Sequence, residues 1–426
     1  MESVKEFLSY FGVTNSVDIG TGLLVVAALA YTIGDYVSNK TKAIFSMVFV
    51  TGAVFLFGFW ILEYWFGVPE FKNIFKTTSL DPYYAFVMPF ILVHMGTLMK
   101  VRNLLNEWKT VAIAFIGIVG LSVGLFYVAG PIIGTIRSLT AAGPISGGIV
   151  ATYIVREAAD AKGLVELSVF AALLLVIQNF VGLPVASWCL KIEGRRLLKQ
   201  MQAGVAGEKE AAKIDPEVPA YQLFPKTPKD LRTPFVLMFK TFLVGYLAVW
   251  VAQYIPVVTG KLGFEFSIHK LVLALIFGII FYELGFLEHD IFTKANCAGY
   301  AMFFCLIPVW AGLTAATPQM VMDLFFPTVL CFVITLVCLA VTSLVLGKIL
   351  GYSWAVAMAI SSTCLYGFPA TYIVSNEVSI ALSANEDEKK YIMNGILPKM
   401  LIGGFTTVTI GSVILAGELA KVIMAQ

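Results

Sequence analysis

Charge is scarce in this chain of 426 residues: only 13% of positions are Asp, Glu, Lys or Arg. Soluble domains carry about 25% charged residues, so a water-soluble globular protein is excluded. The formal net charge is +2, too small for a basic surface that would bind nucleic acid. Histidine occurs three times, and the six cysteines stand at Cys189, Cys297, Cys305, Cys331, Cys338 and Cys364. None of these has the paired spacing of a metal site, and they read as small buried hydrophobes. Zinc-ligand motifs, nucleophile elbows and phosphate loops are missing, so nothing points to an enzyme. Residues Met1 to Asp18 lack a basic stretch before a short apolar core, so no cleavable signal is expected.

What fills the chain is apolar sequence: 59% of residues are hydrophobic and the mean hydropathy is +0.86. Runs of about 20 apolar residues, each able to cross a hydrocarbon core, recur along it. The weak alternation of an outer-membrane barrel is absent. The first half has runs at 18–38, 43–66, 83–100 and 109–130, a broken segment at 131–162, and a run at 165–190. The second half has runs at 233–256, 267–287, 297–316 and 325–348, a broken segment at 352–382, and a run at 391–416. Between the halves, 191–232 is polar, basic and broken by Pro216, Pro219, Pro225 and Pro228, which fits a cytoplasmic linker.

The pentapeptide Ala-Thr-Tyr-Ile-Val occurs twice, at Ala151 to Val155 and at Ala370 to Val374. At the same offset Pro89 falls on Pro308, Glu63-Tyr64 on Tyr282-Glu283, and Gly148 on Gly367. A shared offset across separate runs points to duplication. The expected units are therefore 1–190, the linker 191–232, and 233–426. If the broken segments crossed the membrane, the copies would run parallel. If each enters and leaves on one side, each half has five crossings and the copies are inverted. With the linker inside, the second arrangement puts Lys40, Lys42, Lys100, Arg102, Lys109, Lys389 and Lys390 in the cytoplasm, as the positive-inside rule asks. The expected fold is thus all-α and integral to the membrane: two inverted repeats of five spans, each with a re-entrant hairpin, and both termini outside.

Irregular backbone at membrane depth is tolerated only inside protein or beside a wet cavity, and paired breaks in two halves mark a transporter's binding site. Gly143, Gly147 and Gly148 allow close backbone approach, while Pro144 and Pro369 block a continuous helix. A proline kink or a small-residue packing seam is the plain alternative. The candidate substrate contacts are Ser146, Gly147, Gly148, Thr152 and Arg156 from the first break, with Ser362, Thr363, Gly367 and Thr371 from the second. Candidate ion-coupling groups are Glu157, Asn179, Asn376 and Glu377, since polar groups at membrane depth are functional candidates by default. Gln178 and Asn179 lie in mid-run and equally suit interhelical hydrogen bonds. His94 suits a satisfied buried imidazole, and Lys399 a snorkelling side chain.

At the breaks, Ile145-Ser146-Gly147-Gly148-Ile149-Val150-Ala151-Thr152 and Gly367-Phe368-Pro369-Ala370-Thr371 resemble the loop motifs of the sodium/glutamate symporter family. Ile149 stands where that family has histidine. The resemblance implies sodium-coupled symport of a small carboxylate or amino acid by an elevator movement. It also implies a homodimeric scaffold in the plasma membrane. No cofactor is expected beyond Na+ as a coupling ion, and the expected partners are a small organic anion or amino acid, sodium or protons, and the bilayer, with no nucleic acid. A cation/proton antiporter is the first alternative; a channel or non-transporting receptor is the second.

Overall fold

The computed structural model describes residues 16–41, 47–66, 80–98, 105–203, 223–225, 228, 232–261, 268–367 and 370–425. Pro369 and most of the linker, 204–222, lie outside them, as do the side chains of Glu63 and Pro308. Among the described residues all regular structure is helical. The first half contains α1 (Ser16–Lys40), α2 (Met47–Phe66), α3 (Leu80–Thr97), α4 (Trp108–Gly124), α5 (Thr135–Ala161) and α6 (Val165–Gln202). The second contains α7 (Pro234–Lys261), α8 (Lys270–Glu283), α9 (Ala298–Leu313) and α10 (Pro318–Leu350). It continues with α11 (Trp354–Ser362), α12 (Ala370–Leu382), α13 (Glu386–Phe405) and α14 (Ser412–Met424). A π-helical turn, Thr406–Gly411, joins α13 to α14.

Among the described residues seven helices are long and apolar enough to cross a membrane, so this is a multi-pass membrane protein. Large apolar side chains such as Phe235, Tyr246, Phe325 and Ile349 face outward, as a lipid-exposed surface requires. Thr135–Ala161 is the most enclosed of the seven, 89% buried, against 33% for both Pro234–Lys261 and Pro318–Leu350.

Small residues set the helix crossings, because lipid offers no hydrophobic reward for association and close packing must supply it. A β-carbon at Gly96 of α3 would lie 2.7 Å from both Leu275 O and Ile279 N of α8. Gly278 of α8 sits equally tight against the Val93 backbone. On the other side of the molecule, Gly117, Gly120 and Gly124 line the face of α4 that packs on α10, meeting Leu339, Thr342 and Cys338.

Helices α1, α2, α3, α7 and α8 pack chiefly on one another, α4 to α6 and α10 to α14 do the same, and α9 packs on both sets. The broken segments belong to the second group. Local sequence fixes several of its helix starts. Ser353, Thr317 and Asn385 accept from Val356 N, Met320 N and Glu388 N at 3.1, 3.1 and 2.9 Å, each satisfying an otherwise orphaned donor. Gly351, at φ +76°, ends α10 in the left-handed conformation that spares a β-carbon clash.

Candidate functional site

Helix α5 is two helical arms joined across a kink. Gly147 (φ −179°, ψ 31°) and Gly148 (φ 73°, ψ −143°) are non-helical inside it. A β-carbon on Gly143 would lie 2.5 Å from Val155 Cγ2. Twelve residues of straight helix would separate those positions by about 18 Å. At the ends, Arg137 Nη2 meets Glu166 Oε1 at 2.5 Å, though a straight helix would hold residues that far apart in sequence more than about 40 Å from each other. The chain therefore doubles back at Gly147–Gly148.

The second broken segment behaves alike. Helix α11 passes into a 3₁₀ turn, Thr363–Leu365, and Gly367 takes φ +59° before α12. Ser353, before α11, donates to Glu193 Oε2, while Leu382, ending α12, lies 2.6 Å from a β-carbon at Gly194. Both ends of this segment thus return to neighbouring residues of α6. The two breaks enter from opposite ends of α6, since Arg137 meets its first turn and Ser353 its last third.

The breaks meet at the π-turn. A β-carbon on Gly148 would stand 3.8 Å from Val408 Cγ1, and one on Gly367 would stand 2.7 Å from Val408 Cγ2. One valine therefore separates the two tips. Gly147 abuts Ser412, and its β-carbon position is 3.1 Å from Thr407 O. Thr363 and Thr407 share a hydroxyl contact at 3.2 Å. Gly403 and Gly404 receive Ile360 and Thr371 at 3.1 and 2.9 Å, which draws both sides of the second break onto one patch of α13. Such π-turns recur at functional positions because they release a backbone carbonyl from the helical ladder.

Donors and acceptors at this junction are unequally matched. Ser146 Oγ donates to Gly143 O at 2.9 Å, Ser362 Oγ to Ala359 O at 2.9 Å, and Thr152 Oγ1 to Gly148 O at 2.8 Å. Thr371 Oγ1, buried beside Gly404, has no hydrogen-bond partner among the described residues. Gln178 Oε1 is also buried without a partner, and its Nε2 is 3.8 Å from the β-carbon position of Gly148. A buried, unpaired acceptor costs about 1–3 kcal/mol. Each of these oxygens lies beside one of the two backbone breaks.

The remaining sequence candidates are elsewhere. Arg156 is buried, but Nε donates to Ser168 Oγ at 3.0 Å and Nη2 faces Asp160 at 3.6 Å, fastening α5 to the start of α6. It stands eight residues past Gly148, about 12 Å along the helix. Glu157 accepts from Lys270 Nζ at 2.8 Å and faces His269 Nε2 at 3.8 Å. Asn179, Asn376 and Glu377 are half-buried, the last two about nine residues beyond Gly367. His94 Nδ1 accepts from Phe292 N at 3.4 Å, and Lys399 lies 5.1 Å from the Tyr352 ring centre. Sequence reasoning missed Thr407, Val408 and Ser412, which wall the junction. The Gly403-Gly404 pair followed by Thr406-Thr407 in the last apolar run was their available signal.

No family model and no curated protein matches this chain. Among solved structures, one described as the sodium proton antiporter MjNhaP1 from Methanocaldococcus jannaschii at pH 8 matches at 17% identity. The match covers 95% of this chain and 99% of that one, with a TM-score of 0.41. The expected membership of the sodium/glutamate symporter family is corrected: no model of that or any other family matches. What the structure defines is an all-α, multi-pass membrane protein with two interrupted helical segments meeting in its interior.

Proposed function

We propose that the protein is a secondary transporter exchanging a monovalent cation for protons across the plasma membrane. The observation that carries this reading is the pair of buried neutral oxygens without hydrogen-bond partners among the described residues, Gln178 Oε1 and Thr371 Oγ1, beside the two breaks. Neutral oxygens can ligate a cation, and the side chains placed at the junction include no cationic group to hold a carboxylate. Arg156, the side chain expected to hold a carboxylate, is already committed to Ser168 and Asp160. Symport of an organic anion therefore lacks the group it needs.

The architecture supports alternating access. Helices recur in the same order on either side of the linker, and α11 and α12 begin 219 residues after Thr135 and Ala151 (354 − 135 and 370 − 151). With breaks returning to opposite ends of α6, this favours inverted halves with two re-entrant segments, the arrangement in which half-helix ends share one solute. A continuous pore would not need the two tips closed on Val408.

The test is reconstitution in liposomes that trap a pH-sensitive dye in an acidic lumen. Adding sodium, lithium or potassium outside should raise lumenal pH, and choline should not. Accumulation of a labelled amino or organic acid under a sodium gradient, with no cation moving protons, would overturn the reading.

A further inference from the structure

Resting on that exchange reading, we propose that Glu157 carries the proton at a group separate from the cation site, so that the two ions do not compete for one carboxylate. The side chains placed around the junction, from Ser146, Thr152, Gln178, Thr363, Thr371, Thr407, Val408 and Ser412, are all neutral. A proton carrier must therefore be found away from them. Glu157 stands nine residues past Gly148 on the same arm of α5, about 14 Å along the axis.

Its surroundings suit the task. Oε1 accepts from Lys270 Nζ at 2.8 Å, while Oε2 is buried and makes no hydrogen bond among the described residues. Oε2 faces His269 Nε2 at 3.8 Å. His269 caps α8, its Nδ1 accepting from Leu271 N at 3.3 Å. The neutral ring must then hold its hydrogen on Nε2, the atom turned to Glu157. The other charged groups nearby are Arg156 and Asp160 on α5 and, from α14, Lys421 paired with Glu418 at 2.8 Å. The Glu157 side chain as a whole is one-third exposed, which gives a proton a route to the carboxyl group that does not cross the junction.

Lys270 belongs to the helix group of α1 to α3, α7 and α8, and Glu157 to the group that holds the breaks. The ionised pair ties these groups together. A proton arriving from water on Oε2 forms an O–H bond, neutralises the carboxylate and leaves Lys270 with its charge, so the tie is lost. Loading the proton is thereby coupled to movement between the groups.

Cation-driven proton release should be recorded from proteoliposomes over a pH series, with cation concentration varied at each pH. With separate groups, the apparent KM changes by less than about twofold per pH unit, and the maximal rate carries the pH dependence. Competition for one carboxylate would raise KM about tenfold per pH unit and overturn the proposal. Glu157→Gln should lower proton release at least about tenfold while keeping the thermal stabilisation given by the cation. Lys270→Met, which spares the titratable carboxylate, should keep exchange with a displaced pH profile. Wild-type exchange and pH profile in Glu157→Gln would also overturn it. If no cation moves protons through the wild-type protein, it is the exchange reading itself that fails.

Discussion

Thr152 and Thr371 hold matched places after the two breaks, four residues beyond Gly148 and Gly367, yet their hydroxyls are used differently. Thr152 donates to Gly148 O at 2.8 Å, whereas Thr371 Oγ1 is buried with no hydrogen-bond partner among the described residues. The structure is therefore asymmetric where its sequence is most nearly repeated.

Thr371→Val tests that asymmetry. Removing an unpaired oxygen should leave stability unchanged or raise it by up to about 1 kcal/mol, because a desolvation cost disappears. Cation affinity should drop about tenfold, the loss of one ligand at about 1.4 kcal/mol. Thr152→Val should do the reverse, lowering stability by about 1 kcal/mol with little effect on affinity. Thermal unfolding in detergent, with and without the cation, measures both quantities.

Gly147→Ala should disable the junction by bulk alone. Its extended φ suits any residue, but the new methyl would overlap Ser412. Overpacking of this kind costs about 1–3 kcal/mol. Ser412→Gly in the same chain should restore much of the loss of melting temperature, since the overlap is with that side chain.

Gly148→Ala should act by strain. The nearest atom to its new β-carbon is 3.8 Å away, so space is ample, but φ of 73° with ψ of −143° is a region essentially restricted to glycine. About 1–3 kcal/mol of backbone strain follows. No second-site truncation should rescue it, which separates it from Gly147→Ala in the same melting assay.

Arg156→Ala should cost stability rather than cation affinity. Its guanidinium is buried, bonds Ser168 and faces Asp160, and charged hydrogen bonds contribute about 1.5–3 kcal/mol. The midpoint of unfolding should fall while the cation's KM moves less than about twofold. A larger change in KM would return Arg156 to the list of ligand contacts.

Much of this organisation was legible in the sequence. Apolar runs marked the helices because a bilayer demands them, and the repeated Ala-Thr-Tyr-Ile-Val pointed to both breaks. The glycines that turn the chain, Gly147, Gly148 and Gly367, were visible because few other residues tolerate those positions. Partner choice was not legible. Arg156 looked like an anion ligand until Ser168 and Asp160 were seen beside it, and Glu157 gave no hint of Lys270, which is 113 residues away. Helix α6 ran on past its predicted end near 190 to Gln202, since amphipathic helix can leave the membrane without a break in its hydrogen bonds. The family resemblance failed because short glycine-rich motifs report what backbone geometry needs, and unrelated solutes can need the same turn.

The contact between Gly147 and Ser412 also bears on how the protein is made. The fold-back of α5 is more polar and more enclosed than its neighbours, and a wall it leans on is encoded some 265 residues later (412 − 147). During synthesis the face of that hairpin turned to α14 stays uncovered until residue 412 has left the ribosome. Chains truncated ahead of that point should be held by membrane chaperones and degraded, even though every earlier span is already in place.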